Sequence, residues 1–253
     1  MAFQSRFGRS AAAYAAFRPD YSPALFERIL SLIPPAHREV AMDLGAGTGK
    51  ATRALLEHFS EVIAVEADPL MAEQLLEAAP RALVRVVLAE QCEQERSSVD
   101  LVNAAGALHW MEVPAVVANV ERWLRSGGIF AVSGGGLPET PQPIREIVRK
   151  ELHDHWKAFR DPRLLRDDFP QSILAAAGSL HLVENTRIPY VVPLASRDFA
   201  GFWSSTSYGS AYARTLPDPA SYWAGLEEQF RQAWPEARFP VDFTAYLFIF
   251  RRD

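Results

Sequence analysis

Three glycines spaced two apart, with a carboxylate just before them and another beyond, are the residues here whose types and spacing suit chemistry. They lie in Asp43-Leu44-Gly45-Ala46-Gly47-Thr48-Gly49, and the later carboxylate is Glu66, about twenty residues past the first glycine. Glycine lets the backbone turn sharply and approach a ligand with no Cβ in the way. A carboxylate at the tip of the next strand suits sugar hydroxyls, as in nucleotide-binding half-units where the ligand lies over a helix N-terminus. The flanking elements must supply that geometry. Val40, Met42 and Leu44 alternate over Glu39 to Leu44 as in a short buried strand, and Val62 to Val65 forms a second apolar run ending at Glu66. Between them Thr48 is the expected N-cap of a helix reaching His58 or Phe59, with Ala51, Ala54, Leu55 and Phe59 facing a sheet.

The glycine spacing narrows the ligand. A dinucleotide fingerprint, G-x-G-x-x-G, needs its third glycine where Lys50 stands, and the G-x-x-x-x-G-K-S/T pattern of a P-loop is not met. A nicotinamide-dependent oxidoreductase is therefore the weaker reading. The D-L-G-A-G-T-G stretch resembles motif I of the class I S-adenosylmethionine-dependent methyltransferases. The segment Asp100-Leu101-Val102 followed by Ala107-Leu108-His109-Trp110 resembles a second stretch of that class. The amino-terminal pattern Phe7, Ala11, Tyr14, Arg18, Pro19, Tyr21 resembles small-molecule methyltransferases related to trans-aconitate methyltransferase (type 11).

The resemblance implies a cofactor, S-adenosylmethionine, and places residues around it. Gly45, Ala46 and Gly47 go to its methionine end, Glu66 to the ribose, and Ala67, Ala89 and Glu90 to the adenine. Asn103 or Ala104 goes to the amino group, and Asp43 and Met71 complete the set. Tyr14 and Arg18 either close over the methionine end or belong to an ordinary amphipathic helix that Pro19 ends. Glu90 either accepts from the adenine amine or is a solvated loop carboxylate. His109 is the candidate catalytic residue, as base or hydrogen-bond donor to the acceptor, or else a histidine packed beside Trp110. The implied reaction is in-line methyl transfer to a small molecule, a carboxylic acid or another O-nucleophile. A protein of the same fold that binds cofactor without turnover is the alternative. The N/D-P-P-Y/F motif of enzymes methylating amino groups of bases or glutamine amides is replaced by Asn103-Ala104-Ala105-Gly106, which argues against those substrates.

Along the chain, Asp68 and Pro69 begin a helix expected to reach about Ala79, Leu83 to Leu88 is a third strand, and Val99 to Ala104 a fourth. A helix from about Pro114 to Leu124, a Gly127-Gly128 turn and a strand from Ile129 to Val132 follow. Strands alternating with helices imply an α/β, Rossmann-like, mostly parallel sheet. The methyltransferase resemblance implies seven strands with one antiparallel edge strand, helices on both faces and a helical substrate cap. The expected organisation is one domain over 1–253, with lid helices in 1–35, a cofactor-binding core in 36–135, cap and late strands in 136–240 and a closing strand in 241–253. Within the last two, helices are expected over 143–160, 167–177, 196–205 and 218–234, and strands over 180–192 and 243–250.

Composition sets bounds. In 253 residues the net charge is −5 with no run of Lys or Arg, so a nucleic-acid partner is not expected. The single cysteine, Cys92, fits a reducing compartment and excludes an intrachain disulfide. No apolar window of membrane-spanning length and no leader pattern is visible, so a cytoplasmic protein, monomer or homodimer, is expected. No metal is expected: His153 and His155, two apart on a helix, point to different faces.

Overall fold

A computed structural model describes residues 10–253; Phe7 of the amino-terminal pattern lies outside that range. Among the described residues the strands are β1 Val40–Leu44, β2 Glu61–Val65, β3 Leu83–Arg85, β4 Val99–Ala105, β5 Leu124–Gly134, β6 Leu180–Ile188, β7 Val191–Leu194, β8 Phe239–Asp242 and β9 Ala245–Arg252. They fall into two compact units. One holds residues 20–135, 165–188 and 245–253; the other holds the described residues up to Pro19 with 136–164 and 189–244.

The first unit is built on the seven-stranded sheet, in the order β3-β2-β1-β4-β5-β9-β6. β1 pairs in parallel with both β2 and β4, so the strand order reverses at β1. That reversal is where a doubly wound sheet opens a crevice at the carboxyl ends of its strands. β9 runs antiparallel to both neighbours, β5 and β6. The expected α/β sheet with one antiparallel strand is what forms, with one correction: the antiparallel strand is interior and β6 is the edge. Leu247, Phe248, Ile249 and Phe250 of β9 are all buried, as in a strand covered on both faces.

Alternation along the strands sends successive side chains to opposite faces. Ala41, Val62, Leu101 and Ala131 meet Leu25, Phe26 and Ile29 of the helix Pro23–Leu30 and Leu55 of the helix Lys50–Leu55. Met42, Ile63, Val102 and Phe130 meet Val116, Val117, Val120 and Trp123 of the helix Val113–Trp123. Both faces are thus covered by helices, and β1 is held in register on both sides. The third strand is shorter than the expected Leu83 to Leu88.

The second unit is mainly helical: Ala11–Phe17, Gln142–Glu151, Ser196–Ser204, Ser207–Ala213 and Pro219–Ala233. Its core is aromatic. Trp156 stacks on Trp203 with ring centroids 5.0 Å apart, and Phe199 meets Phe239 edge-on at 5.3 Å. Trp156 Nε1 donates to the Tyr222 hydroxyl at 3.0 Å, and Tyr222 donates in turn to the buried Glu151 carboxylate. The strand expected over 180–192 is two strands in different sheets, parted at Pro189, and the second pairs with the unforeseen β8.

Candidate active site

The candidate site is assembled by the first unit at the carboxyl ends of β1, β2 and β4. Asp43 is the penultimate residue of β1 and is fully enclosed. It accepts from Thr52 Oγ1 at 2.6 Å and from Asn103 Nδ2 at 2.8 Å. Burial drives its carboxyl up from the ordinary value to about 6, against the pull of those two hydrogen bonds. Asn103 is directly opposite Asp43 in the β1–β4 register, and its own Oδ1 is buried without a hydrogen-bond partner among the described residues.

The chain then turns through the glycines. The backbone N–H groups of Gly45 and Ala46 both donate to the Val65 carbonyl, at 2.8 and 3.1 Å, which ties the loop to the end of β2. All three glycines have positive φ, and each has a different surrounding. A Cβ on Gly45 would lie 2.5 Å from the Ala107 Cβ, and one on Gly49 2.8 Å from Leu75 Cδ1. At Gly47 a Cβ would meet nothing among the described residues nearer than the Gly45 carbonyl at 4.0 Å. Gly45 and Gly49 are therefore packing glycines, while Gly47 faces open space. Gly49, not Thr48, is the N-cap of the helix, which ends at Leu55 rather than His58 or Phe59. Thr48 is buried, and its hydroxyl has no hydrogen-bond partner among the described residues.

Glu66 follows β2 directly. Its Oε2 accepts from the Gly47 backbone N–H and its Oε1 from that of Asp68, each at 2.8 Å. Burial raises its carboxyl above the ordinary value, and the two N–H donors oppose the shift. A carboxylate has about four lone-pair sites, so roughly two stay open. Asp68 caps the helix Pro69–Ala78 by accepting from Leu70 N at 3.0 Å, as expected, and places Met71 in the core.

The next two segments lie further along the sheet. Ala89 is buried, and its carbonyl and that of Glu90 accept from Asn119 Nδ2 at 3.3 and 3.0 Å. The Glu90 side chain accepts from the Glu112 backbone N–H at 2.7 Å, so it pins the turn after β4 to the segment after β3. His109 is half-buried in a short helical turn, Leu108–Trp110, with its ring 4.8 Å from that of Trp110. Ala67 is half-buried after Glu66, and Ala104 is buried within β4.

Asp43, Gly45, Ala46, Gly47, Glu66 and Asn103 are thus joined by direct hydrogen bonds or chain continuity. Tyr14 and Arg18 belong to the helical unit, where Arg18 Nε donates to Ser205 Oγ at 3.0 Å and the guanidinium lies 4.2 Å from the Phe202 ring centroid. Thr52, which holds Asp43, was missed. Its signal was its place one turn before Leu55 on the sheet-facing side of the helix. Among the described residues no group of three or more His, Cys, Asp or Glu residues is placed to hold a metal, and no helix is long and apolar enough to cross a membrane.

A parallel sheet reversing at β1, a glycine turn over the reversal and an acid at the tip of β2 are the geometry that the resemblance to class I, S-adenosylmethionine-dependent methyltransferases implies. Residues 42–132 match a family described as methyltransferase domain. A Mycobacterium tuberculosis protein named as an uncharacterized methyltransferase is 41% identical over 141 residues, 56% of each chain. An uncharacterized methyltransferase of Schizosaccharomyces pombe is 31% identical over 127 residues, 50% of this chain and 51% of that one. The chain thus spans about half the length of these relatives. A solved structure from Anaeromyxobacter dehalogenans, provisionally described as a type II methyltransferase, superposes with a TM-score of 0.75. It is 26% identical, covering 92% of this chain and 97% of that one.

Proposed function

We propose that this chain binds S-adenosylmethionine at the Asp43–Glu66 loop and catalyses methyl transfer to a small molecule bearing a carboxylate or another O-nucleophile. The observation that carries the reading is the Glu66 carboxylate bonded to the Gly47 N–H, at the one glycine of the loop that faces open space. The residues present suit the cofactor. Glu66 keeps acceptor capacity for the two ribose hydroxyls, and the orphaned Oδ1 of Asn103 is an acceptor for an ammonium group. S-adenosylmethionine supplies an electrophilic methyl on a sulfonium. The protein's task is then to bind, align and exclude water.

Within that reading Gly45, Ala46 and Gly47 take the methionine end, with Asp43 behind them holding the loop and Asn103, or the adjacent Ala104, meeting the amino group. Ala67, Met71, Ala89 and Glu90 line the adenine end. His109 acts on the acceptor side, as a base or as a hydrogen-bond donor; a carboxylate acceptor needs no base. Acceptor screening with radiolabelled cofactor, carboxylic acids first, tests the proposal. Labelled carboxylic ester supports it, and cofactor binding with no product across metabolite pools would favour a binding protein without turnover.

A further inference from the structure

In the helical unit a half-buried arginine lies beside a buried phenol, and among the described residues no carboxylate is hydrogen-bonded to its guanidinium. Arg160 sits with its guanidinium carbon 5.9 Å from the ring centroid of Tyr208, which is 6% exposed. Its Nε is buried and has no hydrogen-bond partner among the described residues. Arg18 uses only its Nε, on Ser205, and its guanidinium lies over Phe202. Burial raises the Tyr208 phenol above its ordinary value, while the positive charges of Arg18 and Arg160 pull it down. A cavity of about 330 Å³ opens beside this group, lined by Phe159, Arg160, Asp161, Ser207, Ala211 and Arg214. Asp161, the acid in its wall, is engaged by Arg163 in a two-pronged ion pair, at 3.0 and 2.8 Å. Arg214 is exposed at the same cavity, and its Nη1 donates to Ser210 Oγ at 2.6 Å. A half-buried guanidinium with an unmet N–H is costly to keep unless something pairs with it.

We infer that this cavity is an oxyanion-binding subsite, in which Arg160 and Arg214 hold a carboxylate or phosphate group of a small molecule. The planar fork of arginine matches the two oxygens of either group, which a single lysine charge would not. Phe159 and Ala211 leave room for an apolar body behind the anionic group. The inference stands on the helical unit alone and does not depend on cofactor binding in the sheet unit.

Calorimetric titration of the full chain with inorganic phosphate, with succinate and with neutral succinamide, at constant chloride ionic strength, tests it. Phosphate or succinate should bind saturably and succinamide should not; whichever oxyanion binds tighter identifies the group. Arg160→Gln should weaken that binding at least tenfold, and Arg160→Lys less, with far-UV circular dichroism and S-adenosylmethionine affinity unchanged in both. If Arg160→Gln fails to fold, the exposed Arg214→Gln should still weaken binding at least threefold. Saturable binding of neither oxyanion, equal binding of succinamide, or full affinity in the folded arginine variants would overturn the inference. Loss of cofactor binding in the unmodified chain would count against the methyltransfer reading and leave this one standing.

Discussion

The Glu66 carboxylate accepts a hydrogen bond from the Gly47 backbone N–H at 2.8 Å, so the acid at the end of β2 and the turn at the end of β1 form one unit. Each fixes the other. Removing the carboxylate frees the loop N–H and removes the acceptor for sugar hydroxyls. Glu66→Ala is therefore expected to weaken S-adenosylmethionine binding by about 1–3 kcal/mol, since hydrogen bonds to a charged group are lost. Calorimetry on the folded variant checks this, and unchanged affinity would remove Glu66 from the ribose.

Gly45 and Gly47 should separate stability from binding. Gly45→Ala would force a Cβ to within 2.5 Å of the Ala107 Cβ at a positive φ, and should cost about 2–4 kcal/mol in chemical denaturation. Gly47→Ala meets no clash and should cost only about 1–2 kcal/mol for its left-handed backbone. It should nonetheless lower cofactor affinity, because the added methyl enters the space left open there. Equal stability losses in the two variants would contradict the division between packing and ligand-facing glycines.

Asp43 predicts a pH dependence. Its folded carboxyl titrates at about 6, above the ordinary 3.8, so the folded state holds its proton more tightly than the unfolded chain. The resulting contribution to stability is full below about pH 4 and is lost as pH rises through 6. Relative to Asp43→Asn, the unliganded protein should therefore lose on the order of 2–3 kcal/mol between pH 4 and pH 7. Denaturation midpoints of both proteins across that range measure the difference. A difference that grows in favour of the wild type toward pH 7 would reverse the sign and contradict the assignment.

In the helical unit the Tyr222 hydroxyl serves both Glu151 and Trp156. Tyr222→Phe leaves a buried carboxylate and an indole N–H without that partner. A loss of about 1–3 kcal/mol in chemical denaturation is expected. A loss below about 0.5 kcal/mol would show that water replaces the hydroxyl without penalty.

Much of the sheet unit was legible because its signals are local. Alternating apolar residues in β1 and β2, glycines at fixed offsets and Asp68-Pro69 at a helix start each act within a few residues. What the sequence hid depends on distant partners. Thr48 has the chemistry of an N-cap, but Gly49 takes the role because its left-handed backbone makes the turn. β7 and β8 carry Pro193 and Pro240, which argue against strands, yet the two prolines face one another in a two-stranded ribbon, where neither has to donate into a neighbouring sheet. The interior place of β9 turns on the chain order of the sheet. The Asp43–Thr52–Asn103 cluster joins residues up to 60 positions apart, a proximity that no spacing rule conveys.

The most direct test of the central claim is calorimetric titration of the full chain with S-adenosylmethionine and S-adenosylhomocysteine, with NAD and NADP as controls. Binding of the two sulfur nucleotides at micromolar concentration, and of neither nicotinamide nucleotide, is the predicted result. Nicotinamide binding without S-adenosylmethionine binding, or no binding of any of the four, would contradict the account.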